Sequence, residues 1–199
     1  RFESILTETY IYLNDPLEGG TFFFSKARHA MDTAISLIAG RRARMDDAIP
    51  KIKEAMECYS KASSFFKNGE EYFWANECGR MINLLALQLF YNNVQLIGLS
   101  ADAAKAQLPY ISSFEDAYIF ADAYKLMEPS QWIPALFEQC FVNGQVEYLS
   151  EWRKVFSINQ RIWAELQEYI EKQQKSLRKK EFAQLREAFM KRCTAYWPQ

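Results

Sequence analysis

The sequence of 199 residues is poor in the two residues that form most tight turns, with 7 glycines and 6 prolines. A β-sandwich or barrel needs a turn about every ten residues, so this scarcity disfavours an all-β fold. The sequence also has no run approaching the ~20 apolar residues that cross a bilayer as a helix. Its N-terminus lacks the basic and apolar sections of a signal peptide. We therefore expect a helical, cytoplasmic protein.

Histidine and cysteine, the usual zinc ligands, are also scarce. His29 is the only histidine, and the four cysteines lie far apart without a C-x-x-C pair: Cys58, Cys78, Cys140 and Cys193. Zinc sites usually draw their ligands in closely spaced pairs. The sequence therefore predicts no metal site, and the cysteines are expected to be reduced thiols.

No set of residues indicates a chemical reaction. The phosphate-binding signatures G-x-x-x-x-G-K-[ST] and G-x-G-x-x-G are absent, and His29 lies among basic residues without a nucleophile elbow. Asp46-Asp47 and Glu70-Glu71 each open a predicted helix, where acidic residues favour the helix dipole. We expect no catalytic residue, no cofactor and no small-molecule substrate. A hydrolase or metal enzyme that uses His29 and the cysteines is the alternative hypothesis.

Charge is nearly balanced along the whole chain, with a net value of −1, which gives no reason to expect nucleic-acid binding. The last stretch differs, because residues 171–192 contain eight Lys or Arg and three Glu. It predicts a basic amphipathic terminal helix at 177–195 with an apolar stripe. The candidate contacts with a partner or a membrane surface are Lys175, Arg178, Lys179, Lys180 and Arg186. A solvated face whose stripe packs on the preceding helix is the alternative interpretation.

The hydrophobic pattern has a helical period almost throughout. It predicts helices over 22–39, 46–67, 70–92, 113–127, 130–142, 146–156, 158–174 and 177–195, with an irregular connection or very short strand within 92–100. Short connections favour antiparallel neighbours, and hairpins stacked in sequence form an α-solenoid of about nine helices. We predict an all-α fold in which 1–199 is one helical-repeat segment of a larger solenoid.

Several helix boundaries follow from single residues. Gly40 is expected to end the first helix in the left-handed conformation, and Asn68-Gly69 to end the second. Pro50 is expected in the first turn of its helix. Ser113 begins a capping box with Asp116, and Ser130 is expected to be an N-cap.

Two features predict how the helices pack. The apolar stretch "MINLLALQLF" is expected to be enclosed on several sides, and Gly79 to allow another helix to approach closely. The stretch "QWIPALFEQCFVNGQVEYLSEW", residues 131–152, places aromatic residues at helical spacing on either side of Asn143-Gly144. We interpret 131–152 as a packing seam between two short helices, with an aromatic binding site as the alternative.

Residues 84–175 resemble the C-terminal helical region of the spatacsin family, or a related spatacsin/spastizin-type trafficking solenoid. The resemblance depends on "LLALQLF", "FEDAYIFADAYKL" and the seam. The matching positions are Leu87-Gln88, Ala117, Ala121, Ala123-Tyr124, Trp132, Leu136, Gln139, Gly144, Tyr148-Leu149 and Glu151-Trp152.

The resemblance implies a non-enzymatic scaffold. Spatacsin-like proteins act with spastizin and the fifth adaptor-protein complex on late endosomes and lysosomes, in cargo retrieval and in lysosome reformation after autophagy. It implies a spastizin-like protein and adaptor-complex subunits as partners. It carries over no catalytic residue. The alternative is a membrane-surface or general protein-interaction module of another helical-repeat protein.

Overall fold

The computed structural model describes residues 15–40, 45–157, 159–174 and 179–193. Within these ranges the fold is all-α, as predicted, and contains no β-strand. The α-helices are α1 (Pro16–Ala39), α2 (Met45–Asn68), α3 (Tyr72–Phe90), α4 (Ala101–Gln107), α5 (Phe114–Ala123), α6 (Ile133–Leu136), α7 (Val146–Val155), α8 (Gln160–Gln173) and α9 (Lys179–Cys193). The chain divides into two compact units, Arg1–Leu99 and Ser100–Gln199. The solenoid arrangement stays a prediction.

In the first unit, α1 packs along α2 and α2 packs on α3. Helix α1 begins six residues before the predicted start, because the Asp15 carboxylate accepts a hydrogen bond from the Leu17 N–H at 2.8 Å. Gly19 and Gly20 lie in its first turns and are both buried. A Cβ on Gly19 would lie 2.6 Å from the Phe65 ring, and one on Gly20 would lie 2.5 Å from the Phe66 ring. These two glycines therefore permit the close approach of α1 and α2.

Three expectations for the first unit are wrong. Apart from its own helix backbone and chain neighbours, no described residue has an atom within 4 Å of a Cβ built on Gly79, so open space rather than another helix lies beside it. Gly40 ends α1 with extended backbone, φ −67° and ψ 153°, instead of the left-handed conformation. Pro50 is the sixth residue of α2 and so lies in its second turn. A single sequence identifies a glycine or proline, but the neighbour that it meets depends on the packing.

The turn after α2 ends in a Schellman motif with an unexpected residue at its centre. Glu70, not Gly69, has the left-handed φ of 60°. The Glu71 N–H donates to the Phe66 carbonyl at 2.8 Å, and the Glu70 N–H donates to the Lys67 carbonyl at 3.1 Å. The end of α2 at Asn68 is therefore as predicted, while the residue that reverses the chain is the glutamate.

Helix α3 is only partly enclosed. Leu84, Leu85, Leu87 and Gln88 are buried, whereas Phe90 at its end is 75% exposed. Asn83 and Ala86 are exposed as well, so the expectation that "MINLLALQLF" is covered on several sides is wrong for one face of the helix. After α3, residues 91–100 form turns and irregular backbone.

In the second unit, Ser113 caps α5 as predicted, because its hydroxyl accepts a hydrogen bond from the Asp116 N–H at 3.3 Å. The helix ends at Ala123, four residues before the predicted Met127. The stop is again a Schellman motif, now around Lys125 with φ 58°. The Leu126 N–H donates to the Ala121 carbonyl and the Lys125 N–H to the Asp122 carbonyl.

The segment predicted as one helix over 130–142 has three successive helical forms. A 3₁₀ turn covers Pro129–Trp132, α6 follows, and a π-helix covers Phe137–Val142. Ser130 is not the N-cap, which is Glu128. Gly144 then reverses the chain with φ 68° before α7. The boundaries at Pro129 and Asn143 were thus predictable, but the change of helical pitch was not.

Candidate functional site

The seam at 131–152 is a packed core. Trp132 and Trp152 are fully buried, and both rings contact Phe156, at centroid distances of 5.4 Å and 5.0 Å. The Trp132 indole N–H donates to the Leu126 carbonyl at 2.9 Å. Phe114 of α5 adds a further ring contact to Trp132 at 5.6 Å. The packing interpretation is therefore confirmed, because no face of either indole is open to a ligand.

Gln139 connects two separate parts of the second unit. It lies in the π-helix and is 2% exposed. Its amide nitrogen donates to the Pro109 carbonyl at 2.6 Å, and its amide oxygen accepts from the Asn143 side chain at 3.3 Å. A buried polar side chain is costly unless it is hydrogen-bonded, so this glutamine fixes the 3₁₀ turn Leu108–Tyr110 against the seam.

Gln88 has the corresponding role in the first unit and makes all four hydrogen bonds that an amide can form. Its nitrogen donates to the carbonyls of Tyr91 and Val94, at 3.1 Å and 2.8 Å. Its oxygen accepts from the N–H groups of Leu96 and Ile97, at 2.6 Å and 3.1 Å. One fully buried side chain of α3 therefore holds the irregular connection that follows it.

Most of the positions that carry the spatacsin resemblance are core positions. Those that are buried are Leu87, Gln88, Ala117, Ala121, Trp132, Leu136, Gln139, Tyr148, Leu149 and Trp152. Gly144 has a positive φ, and its carbonyl accepts a hydrogen bond from Arg192 of α9 at 3.2 Å. Ala123 and Tyr124 are half-buried, and Glu151 is exposed. The pattern therefore mainly specifies a fold, since Glu151 is the one exposed position among these matches.

The predicted basic contact residues are only partly within the described structure. Lys175 and Arg178 lie outside the described residues, as does the side chain of Lys179. Lys180 is exposed at the start of α9. Arg186 faces the preceding helix, with its guanidinium 3.5 Å from the Glu171 carboxylate. The stripe of α9 packs inward at Phe182 and Phe189, which contact Phe141 and Trp163. The role of the predicted basic residues in binding a partner or a membrane stays a prediction.

The thiols of this chain are poorly suited to nucleophilic chemistry. Burial raises the pKa of Cys78 and Cys193 to about 11 and that of Cys140 to about 12. Burial also raises the pKa of the half-buried Cys58. All four are free thiols. Because the thiolate is the reactive form, these groups stay protonated and unreactive at neutral pH. His29 is exposed on α1.

A groove of the second unit combines apolar and charged groups. Its walls include Ile133, Pro134, Tyr169 and Lys105. Glu165 lies at its edge, where hydrogen bonds from Ser130 and then Arg161 lower the pKa of this carboxyl group. Glu168 is paired with Lys172 at 2.6 Å. Most charges of the groove are thus paired within the chain.

One group of residues that the sequence interpretation missed is exposed at the start of α3. Tyr72, Phe73 and Trp74 have exposed fractions of 62%, 65% and 42%. The signal in the sequence was "EEYFW", where three large aromatics follow two acidic residues. Aromatic residues are enriched where proteins bind each other, so this is the candidate contact surface of the first unit.

The fold and these residues define an all-helical protein whose distinctive buried glutamines and tryptophans serve packing. A family model described as the C-terminus of spatacsin matches residues 18–172. The chain therefore belongs to the spatacsin C-terminus family. It is also similar to a protein of Dictyostelium discoideum, with 33% identity over 92 residues. Those residues make up 46% of this chain and 2% of that protein.

No solved structure matches this chain significantly. Among the described helices, none is both long enough and apolar enough to cross a membrane.

Proposed function

We propose that this chain is a non-enzymatic scaffold segment of a protein-sorting assembly on late endosomes and lysosomes. In this proposal it acts as spatacsin-like proteins do, with a spastizin-like protein and the fifth adaptor-protein complex, in cargo retrieval and lysosome reformation. The observation that carries the proposal is the family match over 18–172. The partners, the location and the absence of catalysis are all parts of the proposal.

The structure supports a scaffold in a specific way. The residues that distinguish this sequence, Gln88, Trp132 and Gln139, are used to fix helices and turns in place. A rigid helical framework holds its surface residues at fixed separations, which lowers the entropy lost when a partner binds. The functional contacts then belong to exposed side chains that this framework positions.

The test is co-purification with defined partners. A tagged form of the protein is expressed with a spastizin-like protein and the subunits of the fifth adaptor complex. We expect both to co-purify, to be lost when 18–172 are deleted, and to be retained in the surface variant Phe90→Ala. A protein that purifies without either partner, and that does not coincide with a lysosomal marker in cells, would overturn the proposal.

Membrane-surface binding is the second candidate, since Lys180 is exposed and the sequence around it is basic. Its test is flotation with vesicles that contain phosphatidylserine. Binding that is weakened by salt and by Lys180→Glu would favour this candidate. The control is Lys105→Glu, on an exposed lysine of α4 outside the basic stretch.

A further inference from the structure

The starting point is the group Tyr72, Phe73 and Trp74 in the first turn of α3, here called the aromatic patch. Tyr72 and Phe73 are largely exposed, and Trp74 is 42% exposed. Exposed aromatics that adjoin one another are uncommon on a monomer surface, because their apolar area is left in water. Phe73 and Trp74 do adjoin, with ring centroids 5.2 Å apart in an edge-on arrangement.

The inner side of the aromatic patch packs against two other helices. The Trp74 ring packs edge-on against Phe24 of α1 at 5.6 Å and lies 6.3 Å from Phe66 of α2. Phe66 is itself 3% exposed and closes over Gly20. Trp74 is therefore supported by two other helices, and its outer surface is fixed before any partner arrives. A preorganised aromatic surface loses less side-chain entropy on binding.

Acidic residues border the aromatic patch. Glu70 and Glu71 immediately precede it and are exposed. Glu18 is also exposed, and its turn lies at the same end of the unit, because a Cβ on Gly69 would lie 3.2 Å from that of Pro16. None of the three carboxylates forms an ion pair within the described residues. Lys67 is the only base between 66 and 76.

We infer that the aromatic patch docks a basic segment of a partner protein, in which a large apolar side chain is flanked by Lys and Arg. The apolar side chain packs on Phe73 and Trp74, and the flanking charges meet Glu18, Glu70 and Glu71. This inference rests on the proposed scaffold function and names a surface for it. Electrostatic complementarity of this kind favours the correct partner over others and speeds encounter.

The same charges argue against two other occupants. A second copy docked through its own patch would bring the carboxylates of both copies together, and like charges across an interface are unfavourable. A membrane with anionic lipids would repel the acidic rim for the same reason. A basic protein segment satisfies both the aromatic and the acidic parts of the surface.

The experiment uses the 199-residue chain and a fluorescein-labelled peptide of about twelve residues, with two Phe among Lys and Arg. Its control peptide has Glu at each basic position. Fluorescence polarisation should show saturable binding of the basic peptide that weakens as salt is added. Phe73→Ala and the pair Glu70→Gln with Glu71→Gln should each weaken it about tenfold or more. Phe90→Ala, at an aromatic residue that is at least as exposed and lies at the other end of α3, should leave the binding unchanged.

The inference would be overturned by no saturable binding, by equal binding of the acidic peptide, by an equal effect of Phe90→Ala, or by self-association that Phe73→Ala abolishes in sedimentation. Binding to neutral phosphatidylcholine vesicles that Phe73→Ala abolishes would also overturn it, because the occupant of the aromatic patch would then be a lipid surface. Failure here is distinguishable from failure of the scaffold proposal. If co-purification survives Phe73→Ala, the scaffold proposal stands and the aromatic patch is not the docking surface.

Discussion

Gln88 shows how one side chain can replace secondary structure. Its amide forms hydrogen bonds with four backbone groups after α3, which in a helix or a sheet would bond to other backbone groups. Two of those groups belong to Leu96 and Ile97, which are 1% and 0% exposed. A buried backbone N–H without a partner costs about 1–3 kcal/mol, so the loss of this amide affects several groups together.

We therefore expect Gln88→Met to lower the free energy of unfolding by about 3 kcal/mol or more, although methionine matches the size of glutamine. The control is Gln184→Met, on an exposed position of α9, which should change stability by less than about 0.5 kcal/mol. Urea denaturation measures both. Equal small effects of the two substitutions would show that the amide is not needed.

Sequence patterns predict which residues are buried more readily than they predict hydrogen-bond partners. The stripe from Trp132 to Phe141 and the buried seam were predictable, because apolar residues at helical spacing must face something apolar. The partners of Gln88 and Gln139 were not, since the carbonyl of Pro109 is thirty residues from Gln139 along the chain. A polar residue in an apolar helix signals a buried hydrogen bond but does not identify its other end.

Where helices pack against each other, two glycines of this chain have opposite surroundings. Gly20 and Gly79 both lie in helices, yet the first faces the Phe66 ring and the second faces open space. We expect Gly20→Ala to destabilise the chain by about 1–3 kcal/mol through overpacking. Gly79→Ala should stabilise it by about 0.5–1 kcal/mol, because alanine loses less backbone entropy on folding.

Thermal or urea unfolding of both variants checks this pair. If the two substitutions shift stability in the same direction, the close approach of α1 and α2 at Gly20 is wrong. The sequence does not show which side chain each glycine meets. Only the three-dimensional packing separates them.

The chain-reversing residues are a second case at this scale. Glu70 and Lys125 adopt a conformation that glycine accepts far more readily. Sequence interpretation favours Gly69 as the reversing residue and continues α5 beyond Lys125. Both hydrogen bonds of a Schellman motif form in each case, and they hold a charged residue in an otherwise unfavourable backbone region. Local preference is thus overridden by the hydrogen bonds that close each turn.

For the whole molecule, the buried thiols determine a pH dependence. Burial raises the pKa of Cys140 from 9.0 to about 12, and those of Cys78 and Cys193 from 9.0 to about 11. The folded state therefore holds these protons more tightly than the unfolded state. Stability should be at its full value below pH 9 and fall as pH rises toward 11–12, by about 1.4 kcal/mol per pH unit for each thiol.

Urea denaturation between pH 8 and pH 11 measures this loss. The variant Cys140→Ala should have a shallower decline, because it removes one of the protons that unfolding releases. Its lower stability at pH 8, from the small cavity, does not affect the slope. A slope equal to that of the unmodified chain would show that the Cys140 thiol does not contribute.

The all-α fold of the whole molecule could be predicted from composition and hydrophobic period. The resemblance to the spatacsin family could be predicted from the spacing of a few residues. The exposed aromatic patch did not follow, because periodicity treats "EEYFW" as another apolar stretch. Exposure depends on which helices cover a residue, and for Tyr72 and Phe73 the answer is none within the described structure.

The Gln88 amide has one further consequence, for the rate at which backbone hydrogens exchange with solvent. Irregular backbone normally exchanges first, because its amide hydrogens bond to water. Here the N–H groups of Leu96 and Ile97 are bound to a side chain of α3. They are released only when the end of that helix opens, so deuterium uptake in this loop would report the opening of a helix.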